Sequence, residues 1–271
     1  MFGITRVLTV SAALLFLVLG GPPGRADNSV DLELILAVDV SLSMDMQEQR
    51  LQRDGYVGAL LDPDVQNAIR SGPTGRIAIT YIEWAGPYNQ TTVLPWTLID
   101  SKQSAEAVAA ELSKAPISRH RMTSISAALE YAGRQFETNP YSGIRRVIDV
   151  SGDGPNNAGA QVDEIREKLI KDGVVINGLP IILRPSQSSF FDINYLDRYY
   201  ADCVIGGPGS FMIPIKEKSE FATATRQKLL LEISGYEPPA RLIKVQLAEG
   251  EKTDCSVGEQ LWRRYMNDRP Y

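Results

Sequence analysis

The stretch LELILAVDVSLSMD, residues 32–45, joins a strongly apolar run to a cluster of oxygen-bearing side chains. The apolar part has the length and composition of a strand that is buried on both faces. It ends on Asp39, and Ser41 and Ser43 follow at every second position. A carboxylate and two hydroxyls at the end of a buried strand must be satisfied by backbone donors or by a ligand.

Apolar runs and amphipathic stretches alternate along the rest of the chain. The pattern predicts strands over 32–39, 75–85, 91–99, 144–151 and 174–183, with 210–215 as a further candidate. Pro95 confines the third strand to a sheet edge. The pattern predicts helices over 46–62, 104–115, 124–137, 161–173 and 219–234, and Ser104 is the predicted N-cap of the second helix. This alternation favours an α/β fold with a doubly wound, mainly parallel sheet flanked by helices on both faces.

The first 26 residues have the order of a secretory signal peptide. Arg6 precedes the apolar run VLTVSAALLFLVLGG, and small residues follow up to Ala26. The alternatives are a retained membrane anchor and a core helix, but the run is short for a membrane span. We therefore expect an exported protein, periplasmic or secreted, with no stable membrane span after cleavage.

The remaining chain divides into a main domain and a short appendage. The domain is predicted over residues 27–236, and the C-terminal appendage over residues 237–271, with a strand at 241–247 and a short helix near Trp262. Of the two cysteines, Cys203 lies in the domain and Cys255 in the appendage. In an exported protein an even number of cysteines favours a disulfide, and the alternative is two unrelated buried thiols.

The charge balance argues against a nucleic-acid partner. The net charge is −5, and the first 26 residues contribute two arginines and no acidic side chain, so the rest of the chain is more acidic still. Nucleic-acid binders normally present a basic face.

Further oxygen-bearing side chains are expected beside Asp39, Ser41 and Ser43, because sites in open α/β sheets form beyond the C-terminal ends of strands. Thr123 stands just ahead of a predicted helix, and Asp153 lies in the turn SGDG after the 144–151 strand. The set contains two carboxylates, three hydroxyls and no nitrogen or sulfur. Such hard ligands suit Mg²⁺, and after it Mn²⁺ or Ca²⁺. A coordination position left to water is open to an Asp or Glu from a protein partner.

The sequence DVSLSM resembles the D-x-S-x-S signature of von Willebrand factor type A (vWA) domains, which form a metal-ion-dependent adhesion site (MIDAS). In that family a threonine also precedes a middle helix and an aspartate follows the fourth strand, as Thr123 and Asp153 do here. The order of elements fits over roughly residues 31–235. vWA domains usually carry glycines before the threonine, where this chain has SRHRMT. The segments RVIDVSGDGPNN, DCVIGGPGSF and RQKLLLEI resemble an uncharacterised family of bacterial exported proteins of vWA type.

This resemblance implies a binding protein and not an enzyme, in which the five oxygen donors hold a cation that engages an acidic group of a protein partner. The alternative without a metal is that the Asp39 loop serves only as a helix N-cap. A calcium EF-hand is excluded, because Met44 and Arg50 stand where glycine and glutamate are needed. A metal-dependent hydrolase is an alternative, with only His120 or Asp149 as its general base. A structural envelope protein with a vestigial metal site is another.

Overall fold

The structure is a computed structural model that describes residues 28–183, 191–235 and 252–268. The strands are β1 (Ser29–Asp39), β2 (Ile77–Trp84), β3 (Gln90–Ile99), β4 (Ser142–Gly152) and β5 (Val174–Pro180). The α-helices are α1 (Met46–Leu61), α2 (Pro63–Arg70), α3 (Lys102–Lys114), α4 (Ile125–Thr138), α5 (Val162–Lys171), α6 (Leu196–Tyr199), α7 (Phe221–Ser234) and α8 (Val257–Asn267). A π-helical turn, Tyr200–Val204, continues α6, and a 3₁₀ turn, Lys218–Glu220, leads into α7.

The five strands form one sheet in the order β3-β2-β1-β4-β5. β1 lies at the centre and pairs in parallel with β2 and β4, and β5 pairs in parallel with β4. β3 is antiparallel to β2 at one edge, where the missing N–H of Pro95 is tolerated. The predicted α/β class and mainly parallel sheet are confirmed.

Strand β1 contributes to a core on each face of the sheet, because successive side chains of a strand point to opposite faces. Leu32, Leu34 and Leu36 pack in the cluster that includes α1, α3 and α7. Ile35 and Ala37 pack in the cluster that includes α4, α5 and the 196–204 segment. Helices therefore cover both faces, which gives a three-layer sandwich with β1 buried along its length.

A buried ionic network ties α7 to β4. The Lys228 ammonium lies 2.8 Å from Asp149 Oδ1 and 2.5 Å from Glu232 Oε1, and all three side chains are fully buried. Asp149 also accepts a hydrogen bond from the Tyr56 hydroxyl at 3.2 Å. Asp149 is therefore a salt-bridged core residue, as buried carboxylates need to be.

Two local boundaries differ from the sequence prediction. Helix α3 begins at Lys102 and its N-cap is Ser101, three residues before the predicted cap Ser104, which is instead the reciprocal partner of Ser101 in a capping box. Helix α2 was not predicted, although Asp62 caps it and Pro63 occupies its first position, which is a typical helix start. The candidate strand at 210–215 forms only isolated bridges beside β5, which include Gly178–Met212.

The C-terminal part matches the prediction where the structure describes it. The expected short helix near Trp262 is α8, and the expected Cys203–Cys255 disulfide is present. The predicted signal over 1–26 and strand over 241–247 lie outside the described residues. Within the described ranges, none of the helices combines the length and apolar character that crossing a membrane requires.

Candidate metal centre

The C-terminal ends of β1 and β4 deliver the two candidate carboxylates to the same edge of the sheet, because these parallel strands are neighbours. Asp39 is the last residue of β1, and Asp153 comes directly after β4. Ser41 and Ser43 lie in the loop between β1 and α1, which begins after its N-cap, Asp45. Four of the five predicted ligands therefore lie on two adjacent loops.

A continuous chain of hydrogen bonds joins these four residues. The Ser41 backbone N–H donates to Asp39 Oδ1 at 2.6 Å. The Ser41 and Ser43 hydroxyl oxygens are 2.6 Å apart, and the Ser43 hydroxyl donates to Asp153 Oδ1 at 2.6 Å. The oxygen atoms of both loops therefore converge on one spot.

The fifth residue, Thr123, reaches this spot through the loop that precedes α4. Its N–H donates to Asn157 Oδ1 at 2.9 Å, and its carbonyl accepts the Asn157 N–H at 2.8 Å. Asn157 belongs to the loop that carries Asp153. Thr123 lines the same cavity as Ser43 and Asp153, so all three predicted loops meet at one place.

The residue before Thr123 takes the backbone conformation that glycine favours. Met122 has a φ of 72°, which is uncommon for residues with a Cβ atom. Gly86 lies so near this loop that a Cβ atom at that position would be 2.7 Å from the Arg121 carbonyl oxygen. The loop thus reaches a left-handed turn without the glycines that the family pattern usually has there.

The sequence RHR at 119–121 supports the site in two ways. The His120 backbone pairs with the backbone on either side of Ser41, with N–O distances of 3.2 and 2.9 Å. The Arg119 guanidinium donates to the Met44 carbonyl at 2.7 Å, so its charge holds the first loop. Arg121 is exposed and lines the cavity. Arg121 therefore adds a positive charge to the lining of the cavity.

Burial and like charge both act on Asp39, which is fully buried. Burial raises the pKa of the Asp39 carboxyl well above its usual value, and the negative charge of Asp153 raises it further. The Asp39 Oδ2 atom is buried and accepts no hydrogen bond. A buried carboxylate oxygen without a partner is costly, so this atom is suited to a ligand.

These observations fit a divalent cation. Asp39, Ser41, Ser43, Thr123 and Asp153 are the residues that would hold it, and its charge would offset the repulsion between the two carboxylates. In the part of the chain that the structure describes, His, Cys, Asp and Glu side chains nowhere gather in a metal-binding group of three or more. The mixed set of carboxylates and hydroxyls suits Mg²⁺, Mn²⁺ or Ca²⁺ better than a soft metal.

One residue beside the site was not singled out from the sequence. The Tyr200 hydroxyl is buried and has no hydrogen-bond partner. A Cβ atom at Gly152 would lie 3.1 Å from this hydroxyl and 2.9 Å from Asp39 Oδ2, so both groups border the glycine. Burial raises the pKa of Tyr200, and the Asp39 charge adds to the effect. No sequence pattern links Tyr200 to Asp39.

Two asparagines were missed as well, although the sequence SGDGPNN places them next to Asp153. Asn157 holds Thr123, as described above. Asn156 is fully buried; its Oδ1 accepts the Ser126 N–H at 3.0 Å, and its Nδ2 donates to Glu259 Oε1 at 2.6 Å. Asn156 therefore links the Asp153 loop both to α4 and to α8.

Comparison with known proteins identifies a family and a fold. The family model "Protein of unknown function (DUF1194)" matches residues 29–237. A search of curated proteins finds no match. Among solved structures, the chain is similar to proximal thread matrix protein 1 (PTMP1) from the mussel byssus, with 15% identity over 77% of this chain and 49% of that chain and a TM-score of 0.54.

Two further solved structures have the same architecture. A von Willebrand factor type A protein from Catenulispora acidiphila shows 17% identity over 76% of this chain and 43% of that chain, with a TM-score of 0.52. The pilus adhesin SpaC from Lactobacillus rhamnosus GG shows 12% identity over 76% of this chain and 31% of that chain, with a TM-score of 0.57. The chain spans less than half the length of these proteins, and at such identities they establish its fold alone. Because the family model matches most of its length, the chain belongs to the DUF1194 family, and its similarity to these structures gives it a vWA-type fold.

Proposed function

We propose that this protein binds an acidic group of a protein partner through a divalent cation, and that it is not an enzyme. Mg²⁺ is the first candidate, held by Asp39, Ser41, Ser43, Thr123 and Asp153 directly or through ordered water. The bound cation supplies an electrophilic centre that a carboxylate from Asp or Glu can join. A PTMP1 structure with a zinc-occupied MIDAS motif supports a divalent metal at this kind of site.

The observation that carries the proposal is the placement of the donors at an open cavity. The hydroxyl chain from Ser41 through Ser43 ends on Asp153, and these residues line a cavity of about 660 Å³. Asp39 does not line the cavity, but its Oδ1 accepts the Ser41 N–H and its Oδ2 atom is buried without a partner. A cation held there is accessible to a group from another molecule.

The hydrolase alternative loses one of its two general bases. Asp149 is fully buried and is bound to Lys228, so it has no access to a substrate. We therefore expect no turnover in phosphatase and esterase assays, whether Mg²⁺ or EDTA is present. Metal-dependent hydrolysis that Asp39→Asn abolishes would favour the alternative.

We also propose that the protein works outside the cytoplasm, in the periplasm or in the medium. The Cys203–Cys255 disulfide supports this, because such bonds persist mainly in oxidising compartments. Separation of periplasmic, membrane and medium fractions, with the protein detected by antibody, tests the location. Recovery in the cytoplasm with reduced cysteines would contradict it.

Calorimetric titration with MgCl₂ tests the metal centre directly. We expect one Mg²⁺ to bind to the wild-type protein, and we expect Asp39→Asn and Asp153→Asn to bind at least about tenfold more weakly. Asp54→Asn is the matched control, because Asp54 is an exposed residue of α1. Equal Mg²⁺ affinity in all four proteins would show that these carboxylates do not hold the cation.

Recovery of partners from cell-envelope extract tests the binding function. The wild-type protein and Asp54→Asn are expected to retain the same proteins with Mg²⁺ and to release them with EDTA. Asp39→Asn is expected to retain none of them. If Asp39→Asn recovers the same proteins as the wild type, the metal centre is vestigial and the proposed function is wrong.

A further inference from the structure

The cavity at the candidate metal centre has a second, apolar side that the metal-binding proposal does not use. Besides the donor residues, the rings of Phe191, Trp262 and Tyr265 line it. Their ring centroids are 5.2–5.9 Å apart, within the range of favourable aromatic packing. These three residues are called the aromatic wall below.

The aromatic wall is fixed in place against the metal centre. The Cys203–Cys255 disulfide holds the segment that enters α8. Gly258 of α8 lies so close to the Asp153 loop that a Cβ atom there would collide with the Asn156 carbonyl oxygen. The Asn156 side chain also donates to Glu259 at 2.6 Å. The loop that carries a candidate ligand is therefore packed directly on the helix that carries Trp262 and Tyr265.

The aromatic wall is accessible, and a positive charge lies at the same cavity. The three rings are half-buried, and the neighbouring Met266 side chain is 54% exposed. Arg121 is exposed and lines the cavity as well. An exposed apolar cluster that is continuous with a charged site is typical of a binding surface. The cavity has a volume of about 660 Å³, which is large enough for more than a single carboxylate.

We infer that this cavity selects acidic partners in which an aromatic side chain lies next to the carboxylate. The carboxylate would join the cation and lie near Arg121, while the aromatic ring would pack on Trp262 and Tyr265. This inference rests on the proposed function and specifies its ligand: a peptide segment with Glu or Asp beside Phe, Tyr or Trp. Polar segments with an isolated acid would bind the same cation more weakly.

Fluorescence polarisation with labelled synthetic peptides tests this inference on the disulfide-bonded protein in saturating Mg²⁺. Three peptides of one length differ only at the central pair, which is Glu-Phe, Glu-Ala or Gln-Phe. We expect Glu-Phe to bind about tenfold or more tightly than Glu-Ala, which is the usual gain from burying a Phe side chain. We expect Gln-Phe to bind at least about tenfold more weakly than Glu-Phe.

Variants of the aromatic wall separate the two contributions. Trp262→Ala is expected to erase the preference for Glu-Phe and to leave the affinity for Glu-Ala and for Mg²⁺ unchanged. Tyr88→Ala is the matched control, because Tyr88 is 95% exposed and does not line the cavity. If Trp262→Ala does not fold, Tyr265→Ala serves instead, since it removes another ring of the aromatic wall without adding a charge. We expect it to weaken Glu-Phe binding by about tenfold and to leave Glu-Ala binding unchanged.

The outcomes distinguish this inference from the proposed function. Equal binding of Glu-Phe and Glu-Ala overturns the inference, but metal-dependent binding of both leaves the proposed function standing. Binding of Gln-Phe as tight as that of Glu-Phe also overturns it, because the wall would then act without the cation. The protein could instead form a Mg²⁺-dependent dimer that Met266→Asp dissociates, since Met266 lines the cavity. A second copy of the chain would then occupy the cavity, and the inference would be overturned. If none of the peptides binds, both proposals fail.

Discussion

Replacing Glu232 by Gln tests the physics of the buried network between α7 and β4. Glu232 is fully buried; Lys228 and Asp149 are its nearest charged neighbours, and the charge of Arg145 also interacts with it. Its Oε1 atom accepts hydrogen bonds from Lys228 at 2.5 Å and from Asn177 at 3.1 Å, whereas its Oε2 atom accepts none. Two carboxylates thus share one ammonium. Burial, and then the charge of Asp149, raises the pKa of Glu232 to about 7 from its ordinary value of 4.5.

The sign of the pH effect follows from this raised pKa. The folded protein holds the Glu232 proton between pH 4.5 and 7, where the unfolded chain has already released it. The stabilisation from Glu232 is therefore present below pH 4.5 and is lost as the pH rises through 7. The difference between the two pKa values corresponds to a loss of about 3 kcal/mol from the free energy of unfolding.

Urea unfolding followed by tryptophan fluorescence, at several values from pH 4.5 to 8 and in EDTA, measures this loss. In Glu232→Gln the new amide group replaces the Oε2 atom, and an unpaired amide costs about 1–3 kcal/mol at every pH. The raised pKa of Asp39 contributes equally to both proteins and cancels from their difference. We therefore expect the variant to gain about 3 kcal/mol relative to the wild type between pH 4.5 and 8.

Glu130→Gln provides the control, because Glu130 is an exposed residue of α4. Its stability relative to the wild type is expected to be independent of pH. If Glu232→Gln also differed from the wild type by a constant amount, Glu232 would titrate near its ordinary pKa. The buried network would then be solvated, and burial would not control the pKa of Glu232.

Three further substitutions test the site and its surroundings. Asp39→Asn removes a carboxyl whose pKa is raised by burial and by Asp153, so in EDTA the variant should gain stability relative to the wild type as the pH rises, and calorimetry with MgCl₂ should show binding at least about tenfold weaker. Met122→Gly relieves a left-handed residue, and urea unfolding should show a gain of about 1 kcal/mol. Gly258→Ala forces α8 away from Asn156, and urea unfolding should show a loss of about 1–3 kcal/mol; unchanged stability would contradict the close packing.

The fold could be predicted because its signals are local. Each of the strands β1, β2, β4 and β5 contains a cluster of apolar and β-branched residues, and amphipathic stretches separate most of them. The placement of the candidate ligands followed from topology, because the C-terminal ends of neighbouring parallel strands share one edge. Asp39 and Asp153 were therefore expected together without any knowledge of side-chain contacts.

The rest of the site depends on contacts between distant parts of the chain. Asn157 holds Thr123, and Tyr200 borders Asp39, but the local sequence predicts neither of these contacts. The left-handed turn at Met122 was also hidden, because the expected glycine signal is absent from SRHRMT. Tertiary contacts fix these conformations, so periodicity and turn signals do not reveal them.

In the proposed binding mode, different parts of the chain recognise the acid and select among acids. All five candidate ligands lie within residues 29–237, which the family model matches, whereas Trp262 and Tyr265 lie beyond that range. The Cys203–Cys255 disulfide joins the two parts, because Cys203 lies inside the matched range and Cys255 outside it. Under the two proposals, we therefore expect a change in α8 to alter which acidic segment fits the cavity without altering a candidate metal ligand. We expect a change at Asp39 or Asp153 to weaken the binding of all acidic ligands alike.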